Sequence, residues 1–134
     1  MKEESVISYE NAKNSEPIAR KFLFKKSNFV QIMEIKPITV GPLTIIRKKK
    51  RIPTEKMELT DEIRAKIDKE GLFFDYPNSR LFKNMEDPVF YNNDEMIGKV
   101  ITHEPIVYLL LASAEKTELE KQGVIFDPVV ISAS

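Results

Sequence analysis

Apolar residues recur most regularly at Leu59, Ile63 and Ile67, every four positions, which places them on one face of a helix over residues 61–70. Thr60 is suited to cap its first turn, Asp61 and Glu62 complement the helix dipole, Glu62 can pair with Lys66, and Gly71 stands where a left-handed C-cap belongs. Residues 113–122 predict a second, charged helix that ends at Gly123.

The remaining pattern is of strand type. Phe22, Phe24, Phe29, Val30, Ile32, Met33 and Ile35 give an imperfect alternation that suits a strand covered on both faces. Pro37, Gly41 and Pro42 punctuate two extended runs at 38–40 and 43–46, a pattern that predicts a hairpin or corner. Residues 97–102 and 106–111 read as strands around His103-Glu104-Pro105, and 124–126 with 129–132 as a terminal strand interrupted at Pro128. Between Leu72 and Asn93 the aromatics alternate with Pro and Asn, which favours short strands or an ordered irregular excursion over helix.

Residues 1–17 hold no sustained apolar period and are rich in Glu, Asn, Ser and Lys, so they are expected to form a flexible arm, with structure starting near Ile18. The fold expected is α+β: a mostly antiparallel β-sheet with one or two short helices, a single domain over residues 18–134 behind that arm.

Composition narrows the class. A chain of 134 residues with 42% hydrophobic and 31% charged side chains can build one core. Cysteine is absent, which removes disulfides, thiolate metal sites and a cysteine nucleophile. The start Met-Lys-Glu-Glu-Ser opens no apolar run, and the stretch 106–112 is far too short to span a bilayer; a soluble protein without a membrane partner is expected, cytoplasmic or held within an intracellular or viral assembly. The Lys-, Ile- and Asn-rich composition fits a bacterial, phage or mobile-element source.

Candidate chemistry is sparse. His103 is the single histidine, and Glu104 beside it points to the opposite face of an extended segment, so an ordinary turn histidine is expected. The carboxylate pairs Asp61-Glu62, Glu86-Asp87 and Asp94-Glu95 lack the ligand spacing of a calcium loop. The four glycines stand alone, without a phosphate-cradling loop, and the serines have no glycine elbow. No cofactor, metal or catalytic residue is assigned, and a non-enzymatic protein is expected; a carboxylate pair assembled by the fold is the remaining catalytic alternative.

Charge distribution is more informative than the balanced total of 21 basic and 21 acidic side chains. Residues 20–51 carry ten Lys or Arg against Glu34 alone, net +9, whereas residues 52–134 are net −7 and residues 1–19 net −2. Within the basic part, Arg47, Lys48, Lys49, Lys50 and Arg51 form an uninterrupted run in which strand alternation would place Arg47, Lys49 and Arg51 on one side.

The run is a candidate contact for phosphates or for an acidic partner, against the alternative of a solvated edge strand. Phe73, Phe74, Tyr76, Val129, Val130 and Ile131 are candidate protein-interface residues, the last three as a strand added to a neighbour's sheet. The function expected is a structural or interaction protein, a small subunit assembling with copies of itself or other proteins. The alternative is a nucleic-acid-associated accessory protein using residues 47–51.

Overall fold

The computed structural model describes residues 1–40, 43–69, 74 and 85–128, with the side chains of 35–51, 85 and 86 outside the description. The elements in chain order are β1 (Glu3–Ser8), α1 (Tyr9–Lys26), β2 (Phe29–Val40), β3 (Leu43–Pro53), β4 (Met57–Glu58), α2 (Asp61–Lys69), β5 (Met85–Asn92), β6 (Glu95–Ile101), β7 (Ile106–Leu111) and α3 (Ser113–Lys121). The architecture is α+β, one antiparallel seven-stranded sheet with order β1-β7-β6-β5-β2-β3 and β4 paired to β2.

Register aligns two rows of residues across five strands. Ser5, Leu109, Gly98, Phe90 and Val30 stand side by side, and all are buried. One residue along, Val6, Tyr108, Lys99, Val89 and Gln31 form a half-buried row on the opposite face. The Lys99 ammonium lies over the Tyr108 ring, 4.9 Å from its centre. The period of two along each strand thus divides a helix-covered core face from a more polar one.

Helix α1 lies against β1, β5, β6 and β7, and its buried face is Ala12, Ser15, Glu16, Ala19 and Leu23. Small residues let it approach closely, and Gly98 completes the fit. A Cβ on Gly98 would lie 2.8 Å from Leu23 Cδ2 and 2.6 Å from the Tyr108 carbonyl oxygen. Phe24 stacks at a tilt on Phe90, ring centres 6.2 Å apart. Ile67 and Leu59 bring α2 and its approach into the same core, and Leu119 does so for α3.

The N-terminal segment departs from expectation. Residues 1–17 are not a flexible arm: β1 pairs with β7 along its whole length, Ile7 is fully buried, and α1 is already formed at Tyr9. The helix escapes a hydrophobicity pattern because its buried face, apart from Leu23, is made of Ala, Ser and a paired Glu, and because Pro17 sits in its interior. Phe22 and Phe24, read as strand residues, belong to this helix.

Charged groups join α1 to α2. Buried Glu16 is ion-paired with Arg20 at 2.6 Å, and Arg20 also reaches Asp68 at 3.1 Å. The Arg64 guanidinium donates to the carbonyl oxygens of Phe24 and Ser27 at 3.0 and 3.1 Å, covering the negative end of α1.

α2 begins as expected, with the Thr60 hydroxyl accepting from the Ile63 N–H at 3.2 Å. Gly123 follows α3 with φ 104°, a left-handed conformation suited to glycine. The terminal strand expected at 124–126 is absent. The Val124 N–H returns to the Leu119 carbonyl, and the Asp127 N–H reaches the Val6 carbonyl at 2.7 Å, so the segment folds back along the edge of β1 without forming a strand.

Candidate interaction surface

The pairing of β2 with β5 runs from Phe29 opposite Tyr91 to Glu34 opposite Met85. Beyond Glu34, β2 is paired with β3 alone among the described residues, from Ile35 opposite Arg51 to Val40 opposite Leu43. Among the described residues, the backbone over 35–40 and 43–51 is therefore a two-stranded ribbon that continues for six residues of β2 past the last described pairing with β5, about 20 Å at the usual rise per residue.

Pro37 shapes this ribbon. It has no N–H to donate, and the register shifts beside it: Pro37 is opposite Lys49, but Ile38 is opposite Ile45. Ile46, Arg47 and Lys48 fall in the gap with no partner residue across the ladder. The backbone register therefore shifts within the run, between Arg47 and Lys49. What persists is placement: all five cations of the run lie on β3, the last strand of the sheet path.

The ribbon is free of acid. Residues 35–51 contain Lys36 and the run Arg47–Arg51, net +6, so the rest of this neutral chain is net −6. Lys36 stands directly opposite Lys50 in the ladder. Like charges directly opposite one another on paired strands are in general unfavourable. Exposed carboxylates near β4, at the start of α2 and in the β5–β6 turn include Glu55, Glu58, Asp61, Glu62, Asp94 and Glu95. Lys56 bridges part of this group, 3.6 Å from Asp94 and 3.9 Å from the centre of the Tyr91 ring.

Other sequence candidates separate. Phe74 is half-buried against the core. Phe73, Tyr76, Val129, Val130 and Ile131 lie outside the described residues. His103 occupies the turn between β6 and β7 and is exposed, as is Glu104. Among the described residues, Glu16 is the one buried carboxylate and it is paired with a guanidinium, and no three His, Asp or Glu side chains come together to hold a metal ion.

No helix among the described residues is long and apolar enough to cross a membrane. The chain matches no family model, no curated protein and no solved structure. Any functional reading therefore rests on the chain's own residues.

One surface was not foreseen. Helices α1 and α3 enclose an open cleft of about 420 Å³, floored by Ile18, Phe22 and Leu119. Its signal was present in the sequence as an i, i+3, i+4, i+7 series on α1, Ile18, Lys21, Phe22 and Lys25, but reading Phe22 as part of a strand concealed it.

Proposed function

We propose that this chain is a non-catalytic structural or interaction protein, a small subunit of a larger protein assembly inside the cell or in a virus particle, docking through the β2–β3 ribbon. The supporting observation is the acid-free basic ribbon, with Lys36 opposite Lys50, on a body of opposite net charge. Acidic surface on a neighbouring subunit would complement that charge, and the −6 remainder of a second copy is one such surface. A ribbon-to-body contact is heterologous, so it propagates into a ring or filament.

Light scattering behind size-exclusion chromatography tests the reading. The expected result is a mass above one protomer at low salt that falls toward the monomer at high salt and in K48E/K49E/K50E. A salt-independent monomer at every concentration, with no protein partner retained by the ribbon, overturns it.

A second reading is favoured by the ribbon's shape, because the major groove of DNA admits a two-stranded β-ribbon. Neutralising about five phosphates would give a log–log salt slope of about −4.5 for duplex binding. Binding to duplex with that slope, abolished in the same triple variant, would displace the assembly reading.

A further inference from the structure

The α1–α3 cleft is independent of the ribbon and unused by the assembly reading. Its long walls differ in charge: Lys21, Lys25 and Lys26 stand on α1, Glu115 and Glu118 on α3. These groups are unequally engaged. Glu115 accepts from the Ala112 N–H at 2.9 Å and lies 3.7 Å from Lys26, and Glu118 faces the Gln122 amide at 3.5 Å. Lys21 and Lys25, one helical turn apart and exposed, have no acidic partner among the described residues.

Two uncommitted ammonium groups thus border an apolar floor in a cleft of about 420 Å³, within the volume range of sites that enclose small organic ligands. On the far wall Glu115 is held by Lys26 and the Ala112 N–H, and exposed Glu118 meets only the Gln122 amide, so among the described residues two ammonium groups without an acidic partner face a single carboxylate without a basic one, a balance that favours an anionic ligand. We propose that this cleft binds a small amphiphilic anion, an acyl or aryl group ending in one carboxylate. The carboxylate sits between Lys21 and Lys25, and the apolar part lies along Ile18, Phe22 and Leu119. The lysine stems extend the apolar wall while their charged ends meet the headgroup.

The test is a titration of the full, isotope-labelled chain with decanoate below its micellar concentration, followed by amide chemical shifts. Saturable shifts confined to residues of α1 and α3 are expected. K21E/K25E, two exposed positions whose change leaves the core intact, weakens binding at least tenfold. Octanoate, two methylenes shorter, binds about fifteenfold more weakly, because each buried methylene is worth a factor of about four. Decylammonium, of equal chain length and opposite charge, is not expected to compete. The proposal is overturned if decylammonium binds as tightly as decanoate, if K21E/K25E binds decanoate unchanged, or if the shifts map to the opposite face of the sheet. It is equally overturned if decanoate leaves the cleft unshifted while an acidic amphipathic peptide shifts it, which would make the cleft a helix-docking groove.

Discussion

Replacing Gly98 with alanine tests how α1 is seated on the sheet. The added methyl would stand 2.6 Å from the Tyr108 carbonyl oxygen, 2.8 Å from Leu23 Cδ2 and 2.9 Å from Leu109 Cδ2. Carbon contacts are comfortable at about 3.5–4.0 Å, so all three neighbours are too near. None gives way easily: the carbonyl belongs to β7, paired with β6 at this point, and Leu23 and Leu109 are fully buried. Overpacking of this kind costs about 1–3 kcal/mol, and the backbone contact puts this site at the upper end. The narrower unfolded ensemble of alanine returns about 0.4–1 kcal/mol, leaving a net loss of about 2 kcal/mol. At about 4 °C per kcal/mol for a chain of this size, Tm falls by about 8 °C.

Thermal and urea unfolding followed by circular dichroism measure the change, and an unchanged m-value would attribute it to the native state. Leu23→Ala should cost about 2–5 kcal/mol alone. In the Gly98→Ala background it should cost at least about 1 kcal/mol less, because one clash disappears with the leucine methyl. A Gly98→Ala protein as stable as the parent, or a cycle with no coupling, would refute the seating of Leu23 over Gly98.

Two further substitutions address the α1–α2 junction. Arg64→Ala removes the donors to Phe24 and Ser27 and is expected to lower stability by about 1.5–3 kcal/mol in urea titration, with Arg64→Lys recovering less than half because an ammonium cannot reproduce the forked geometry. Arg20→Met strands the buried Glu16 carboxylate and should cost about 3–5 kcal/mol by the same assay, whereas the double change Glu16→Leu with Arg20→Met should recover most of it.

How much of this was legible in the chain follows from how locally each signal is written. Thr60, Asp61 and Glu62 mark the start of α2 within three consecutive residues, and the alternation of 106–111 is intact in β7, where Val107, Leu109 and Leu111 are buried and Ile106, Tyr108 and Leu110 are less so. Helix α1 hides because its burial depends on partners remote in sequence. Ala12 and Ala19 are buried where the helix approaches the sheet, and Glu16 is buried beside Arg20. An acidic residue followed by Pro17 reads locally as a break. β1 is equally obscure alone: with Glu3, Glu4 and Ser5 in a six-residue strand, its stability comes from β7.

At the candidate surface, the charge of the run 47–51 was evident from composition. Its position on a ribbon past the last described pairing with β5 was not, since that depends on strand partners remote in sequence. The register shift beside Pro37 was likewise not legible, although proline's missing donor marks the position as a place for a ladder irregularity.

The proposed docking of the β2–β3 ribbon on acidic protein surface carries the functional reading. It is tested most directly by the mass of the wild-type chain and of K48E/K49E/K50E, measured by light scattering across a salt series at fixed protein concentration. The expected result is a wild-type assembly that dissociates with salt beside a variant that is monomeric throughout and unfolds at the same temperature. A variant that assembles like the wild type, at every salt concentration, would contradict the claim.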